Sequence, residues 1–274
     1  MNFSKINIII TLMILSVLIV SCYKSEDVAD VEIIEPSEFT QKLLLEDYTG
    51  TWCVYCPKAG QAIEHAVEDN DRFVPVAIHF FSNSNPEEMQ NEFTESIVSR
   101  YHPDGGFPKV NLNRSESLWP NDYLVSTLEA MLNRYAPVGL AINSTLTGNS
   151  IDLEIKVGFV EETTTVNNYK LVVYLLEDGL IYPQDNASLL DLPNPIEDYE
   201  HNDVLRYSFT NVFGDDLPNM VADNHRFVTN FNSISLPDYI EDISNLKIVA
   251  FIVDNNDNCL NVQVANVGEN KDFD

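Results

Sequence analysis

The sequence has 274 residues, 45% of them hydrophobic, and a formal net charge of −28 at pH 7. Its apolar content excludes a disordered chain, and its length fits one large or two ordinary domains. The excess of acid argues against nucleic acid and anionic membrane surfaces as electrostatic partners, because both carry the same sign of charge.

The first 21 residues predict a secretory signal that is not part of the fold. Lys5 supplies the positive start, and residues 8–20 form an apolar run too short for a comfortable membrane span. Small residues before Cys22 resemble the lipobox of bacterial lipoproteins, which implies cleavage there and acylation of Cys22. An uncleaved anchor helix is the alternative, and it gives nearly the same location.

Residues 22–36 are predicted to be an acidic tether. Acids soon after the cysteine resemble the surface-export signal of lipoproteins in the Bacteroidetes, and Tyr23 at the next position resembles lipoproteins sent to the outer membrane. The expected location is the outer membrane, with the protein lipid-anchored and facing the periplasm or the cell surface.

Residues 37–137 alternate strand and helix patterns. The predicted order is a strand near 42–48, a helix reaching about residue 70, an apolar strand at 73–81, a helix starting near 84–88, a strand at 105–112 and a helix from Trp119. This alternation predicts an α/β layer fold.

After Pro137 the hydrophobic period changes from 3.6 to 2. Strands are predicted around 140–146, 151–159, 169–176, 246–253 and 260–267, with long loops and one or two short strands at 180–240. The pattern predicts that residues 138–274 form a separate antiparallel, all-β, sandwich-like domain.

Cys53 and Cys56 form a CxxC motif between a predicted strand and a predicted helix, the context of a redox pair. A helix N-terminus lowers a thiol pKa, and the thiolate is the species that attacks a disulfide. Cys53, expected to be the more exposed, is the predicted attacking thiol, and Cys56 would resolve the mixed disulfide. A stable structural disulfide between the same residues is the alternative. Cys259 is left over as a packing thiol, with a resolving role still open.

No metal site and no cofactor are predicted. A single CxxC supplies two of the roughly four ligands that zinc needs. The five histidines show no paired spacing that would supply the others.

The segment 46–57 resembles the active-site segment of thioredoxin-fold proteins. On this resemblance, Trp52 precedes the first cysteine, Asp47 is the buried acid, and Pro108 is a cis-proline facing the cysteines. The mature chain also resembles the Omp28-related outer-membrane lipoproteins of the Bacteroidetes, which join a thioredoxin-like domain to a β-rich C-terminal domain. The resemblance implies the fold class of an α/β thioredoxin-like domain followed by an antiparallel all-β sandwich-like domain.

Each further site residue has an expected role and a plain alternative. Burial would raise the pKa of Asp47 and suit it to accept a proton from Cys56, unless it lies in solvent at the strand end. Pro108, if cis, would help hold an extended substrate, but it could be an ordinary trans proline. Trp52 and Phe107 would line the substrate groove, although Trp52 could equally be a core-edge aromatic.

These residues predict a lipid-anchored envelope thiol–disulfide oxidoreductase that acts on thiols and disulfides of exported proteins. The alternative is a non-catalytic outer-membrane binding or adaptor lipoprotein, docking another envelope protein, with a structural Cys53–Cys56 disulfide. Val54 and Tyr55 between the cysteines replace the Gly-Pro or histidine-containing pairs of well-known oxidoreductases, so the direction of exchange is not set by the motif.

Overall fold

The computed structural model describes residues 39–81, 86–118, 128, 131–160, 169–187, 191–218 and 226–274. Residues 36–274 belong to one compact unit. The predicted signal segment and tether, including Cys22, lie outside the described residues. No helix within the described ranges is long and apolar enough to cross a membrane.

The elements follow one another along the chain with short connections. The first are β1 (Leu43–Thr49), α1 (Cys56–Asp69), β2 (Phe73–His79), α2 (Thr94–Tyr101), β3 (Lys109–Leu112) and β4 (Glu116–Leu118). The next are β5 (Val138–Thr147), β6 (Ser150–Phe159), β7 (Lys170–Glu177), β8 (Leu180–Gln184), β9 (Ile196–His201) and β10 (Val204–Ser208). The last are β11 (Asp215–Asp216), β12 (Arg226–Ser235), a 3-10 turn (Ile243–Asn245), β13 (Leu246–Val253), β14 (Cys259–Asn266) and β15 (Asn270–Lys271).

Nine of the described strands form one mixed sheet in the order β14-β13-β7-β10-β2-β1-β3-β4, with β11 paired to β7. Strands β1 and β2 are parallel, and α1 connects them. Strand β10 joins the other side of β2 in parallel, where Val204 lies opposite Ala77. Strands β12-β6-β5-β15 form a second sheet, and β8 and β9 form a separate hairpin.

The two faces of the large sheet pack against different layers. Alternate residues of β7 and β13, such as Val173 and Ala250, pack with β5 and β6 in one core, and the residues between them, such as Tyr174 and Phe251, pack in another with α2. Successive strand residues point to opposite faces, so a strand covered on both sides is apolar at nearly every position. This explains the uninterrupted hydrophobic runs of β7 and β13.

The predicted fold class, an α/β thioredoxin-like domain followed by an antiparallel sandwich-like domain, is wrong. Strands dominate the described chain, whose α-helices span only 14 and 8 residues. Strands β7, β10, β13 and β14 from the second half extend the sheet that contains β1 to β4. The apolar strands after Pro137 therefore bury one face against the first half of the chain.

Two local predictions also need correction. The helix expected from the segment 84–88 begins only at Thr94, and the described residues before it form turns. The segment 180–240 contains β8 to β12 where mostly loops were expected. The helix predicted from Trp119 lies largely outside the described residues.

Candidate functional site

The CxxC loop lies between the end of β1 and the start of α1. Cys53 and Cys56 form a disulfide with an S–S distance of 2.11 Å and a Cα–Cα distance of 5.4 Å. Helix α1 starts at Cys56, with Pro57 in its first turn where no N–H is needed. Gly50 is required before the loop because an added Cβ would lie 2.6 Å from Trp52 Nε1.

The two sulfur-bearing residues are equally buried. Cys53 and Cys56 are each 3% exposed, so the expected greater exposure of Cys53 is absent in this oxidised form. Helix α1 begins three residues after Cys53, and the backbone N–H of Cys56 donates to the Cys53 carbonyl at 3.0 Å. Cys53 therefore belongs to the turn that leads into the helix.

Trp52 and Phe107 come together beside this loop. Their ring centroids are 5.3 Å apart with the edge of one ring facing the other, and Trp52 Nε1 donates to the Phe80 carbonyl at 2.9 Å. The Phe107–Pro108 peptide bond is cis, and Pro108 is buried directly before β3. Strand β3 runs antiparallel to β1, so the proline and the disulfide loop lie at the same end of the strand pair.

Asp47 on β1 is buried, with 6% exposure, and its Oδ1 has no hydrogen-bond partner. Burial raises the pKa of this carboxyl from 3.8 to about 7, because a low-polarity environment disfavours its charged form. Its neighbour Glu46 points to the opposite face of the sheet, where it is fully buried and pairs with Arg114 Nε at 2.9 Å. Both adjacent acids are thus inside the fold, but Glu46 has a counter-ion.

A cavity of about 590 Å³ adjoins Asp47 and Cys56. The sheet and α1 contribute an apolar part of its wall, including Ile63, Val67 and Ala77. The second half of the chain contributes mostly polar groups, including Tyr199 and His201 of β9. Six acidic side chains line the cavity: Asp47, Glu64, Glu68, Asp178, Glu200 and Asp203.

Gln184 attaches the second half of the chain to the disulfide loop. Its buried amide Nε2 donates to the carbonyls of Thr51 and Cys53, both at 3.1 Å, and lies 3.3 Å from that of Gly50. The backbone N–H groups of Asp185 and Ala187 donate to the carbonyls of Thr51 and Val54, each at 2.8 Å. The segment 184–187 therefore covers the loop and limits its conformations.

A second buried network holds the loop from β2. Glu87 accepts from the Thr51 N–H at 2.6 Å and lies 3.0 Å from His79 Nδ1. Burial raises the pKa of Glu87, but its bonds to His79 and Thr51 and the His79 charge outweigh that effect and lower it overall. His201 packs edge-on against His79 at 5.1 Å, and burial lowers the pKa of His201 to about 3.

Sequence reasoning missed Gln184, Glu87 and Tyr199 as parts of this site. They come from distant segments with ordinary polar composition, and no motif distinguishes them. Tyr199 approaches α1 so closely that a Cβ on Gly60 would lie 2.9 Å from its hydroxyl. The glycine at position 60 was the available sequence signal, since a glycine inside a helix often marks a close approach.

The leftover thiol and the metal prediction have simple outcomes. Cys259 is free and 5% exposed, and burial raises the pKa of its thiol. It packs in the core that contains Tyr174 and Phe251, so it behaves as a small apolar residue. Within the described ranges, no three His, Cys, Asp or Glu side chains are grouped closely enough to hold a metal ion.

The sequence matches the family described as outer membrane protein Omp28 over residues 95–271, more than half of the chain. The chain belongs to the Omp28 family. This membership associates it with the outer membrane. The Omp28 match begins after the CxxC loop, so it includes Gln184, Tyr199 and His201 but neither cysteine of the disulfide.

Two solved structures from Porphyromonas gingivalis are similar to this Omp28 protein. HBP35 matches with a TM-score of 0.68 and 17% identity, covering 85% of this chain and 77% of that one, which shows a shared fold. A domain of the outer membrane lipoprotein Omp28 matches with a TM-score of 0.32 and 19% identity, over 48% of this chain and 88% of that one. No curated protein matches the sequence significantly.

Proposed function

We propose that this Omp28 protein is a lipid-anchored envelope oxidoreductase that exchanges Cys53 and Cys56 with thiols and disulfides of exported proteins. The observation that supports it most is the position of Asp47. Its carboxyl is buried without a hydrogen bond, borders the same cavity as Cys56, and has a pKa near 7. A carboxylate with such a pKa can accept a thiol proton at neutral pH.

The proposed exchange begins with the reduced pair. The Cys53 thiolate attacks a substrate disulfide, forms a mixed disulfide and releases one substrate sulfur as a thiolate. Asp47 then takes the proton from the Cys56 thiol, directly or through water. Cys56 attacks Cys53 Sγ, which restores the Cys53–Cys56 disulfide and releases the second substrate sulfur. The reverse sequence oxidises a substrate dithiol.

A trapping experiment tests this proposal. Cys56→Ser should leave the mixed disulfide unresolved, so incubation with a disulfide-containing exported protein should give a covalent complex that dithiothreitol dissolves. Cys53→Ser should give no complex. Cys259→Ala is the matched control, because its buried thiol lies in a different part of the fold, and it should leave insulin reduction unchanged. Equal trapping by Cys53→Ser and Cys56→Ser would contradict the assigned roles.

A specific observation favours the alternative function, a binding or adaptor protein with a structural disulfide. The sulfurs are buried, and the segment 184–187 bonds to four consecutive parts of the loop. In that case another envelope protein would be the partner, and Cys53→Ser would leave its binding intact. Failure of the wild type to reduce insulin with any electron donor would favour this alternative.

We propose acylated Cys22 as the membrane attachment, from the sequence before it. An alkyne analogue of palmitate should label the wild type in cells, and Cys22→Ala should abolish both the label and recovery in the outer-membrane fraction. Protease treatment of intact cells would then separate a surface-facing from a periplasm-facing protein. Unchanged labelling of Cys22→Ala would overturn this attachment.

A further inference from the structure

We propose that the cavity between α1 and β9 binds an organic cation, a protonated amine or a guanidinium, with Asp47 and Glu64 as its charged contacts. The cavity volume of about 590 Å³ lies within the usual range for small-molecule sites. This site is additional to thiol exchange, and its occupancy does not depend on redox chemistry.

The charges around the cavity favour a cation. Its single basic residue of high pKa, Lys247, is already paired: Nζ lies 2.6 Å from Asp178 Oδ2 and also contacts Asp203 Oδ1. Among the described residues, no basic side chain pairs with Asp47 or Glu64. A ligand that carries positive charge would supply the counter-ion that these carboxylates lack.

Asp47 is a second, independent indication. Its Oδ1 is buried and unpartnered at the cavity wall, and leaving a buried acceptor without a donor costs roughly 1–3 kcal/mol. An ammonium or guanidinium carries several N–H donors and no acceptor. A bound cation of this kind would satisfy the acceptor and the negative charge together.

The remaining walls suit an organic cation better than a metal ion. Tyr199 and His201 have ring centroids 4.8 Å apart and face the cavity, opposite the apolar side chains of Ile63 and Val67. Aromatic faces attract cations, and apolar walls pack against the methylene groups of a lysine or arginine stem. The described residues offer no cluster of three metal-ligating groups.

Calorimetric titration of the full chain, with its disulfide intact and in low salt, tests the site. The probes are agmatine, as a free cation, and the blocked tripeptides Gly-Lys-Gly and Gly-Arg-Gly, as basic side chains. We expect at least one probe to bind, and the peptide with norleucine in place of lysine to bind at least about tenfold more weakly. Binding of agmatine alone would identify a free amine as the source, and binding of the peptides alone would identify a protein side chain.

Variants locate the binding. Asp47→Asn and Glu64→Gln should each weaken it by about tenfold, since each removes one charge while keeping the side-chain shape. Asp69→Asn is the matched control, because it removes an exposed acid from the same helix outside the cavity. The proposal is overturned if no probe binds, if the norleucine peptide binds as tightly as the lysine peptide, or if Asp69→Asn weakens binding as much as the cavity variants.

Discussion

Asp47→Asn should make the oxidised protein more stable at alkaline pH and leave it nearly unchanged in acid. Burial raises the pKa of Asp47 from 3.8 to about 7, so the folded chain binds more protons than the unfolded chain between these values. Stability therefore falls as pH rises through this window. Asparagine has nearly the same shape and never ionises, so it removes this loss.

The size of the effect follows from the pKa shift. A shift of one unit corresponds to about 1.36 kcal/mol, so a shift of about 3 units corresponds to roughly 4 kcal/mol as an upper value above pH 7. The site is 6% exposed, so solvent screening reduces this value little. The gain of Asp47→Asn over the wild type should grow from near zero at pH 4 toward that value at pH 8.

Urea unfolding of the disulfide-bonded protein at pH 4 to 9 measures this difference. Asp69→Asn should follow the wild-type pH profile, because that carboxylate is exposed. Parallel profiles for wild type and Asp47→Asn would refute the reasoning. So would an asparagine variant that is less stable than the wild type at pH 8.

Three further predictions concern other buried groups. Burial lowers the pKa of His201 from 6.5 to about 3, so the wild type should lose stability as pH falls through this window, and His201→Gln should lose less in urea unfolding at pH 4 than at pH 7. Gln184→Ala should cost about 2 kcal/mol and speed reduction of the disulfide by dithiothreitol, whereas Gln263→Ala, a buried glutamine far along the chain, should change stability without that rate. Arg114→Met should cost about 3–5 kcal/mol in urea unfolding by leaving Glu46 buried without its counter-ion, and adding Glu46→Gln should recover part of it.

The local structure around the cysteines was predictable because its signals are local. An apolar run gave β1, and the helical spacing after the CxxC motif gave α1, which ends at Asp69 near the expected residue 70. Alternation along β1 indicated that Asp47 and Glu46 point to opposite faces. It did not indicate that both are buried, because the partner of Glu46 is Arg114 in a polar turn after β3.

The architecture was not predictable from the same signals. Strand β10 meets β2 through a single register pair, Val204 opposite Ala77, and nothing in either segment encodes that pairing. The apolar runs of β7 and β13 are equally consistent with a separate sandwich and with a sheet shared with the first half. The family relationship to Omp28 was inferred correctly, but the α/β thioredoxin-like description attached to it was not.

The cover of the disulfide loop illustrates the same limit. Gln184 is polar, lies in a segment expected to be mostly loop, and has no motif around it. It becomes important only because the fold places its amide against carbonyls about 130 residues earlier, and the nearest of these bonds to the sulfurs, to the Cys53 carbonyl, is 3.1 Å long. Such contacts depend on topology rather than on local sequence.

The reduction potential of the Cys53–Cys56 pair tests the central claim most directly. It is measured by equilibrating the purified protein with defined ratios of reduced and oxidised glutathione or dithiothreitol, then quantifying free thiols. A working exchange pair should lie between about −270 and −120 mV, the range of known oxidoreductases. A potential below about −300 mV, typical of structural disulfides, would contradict the proposed exchange.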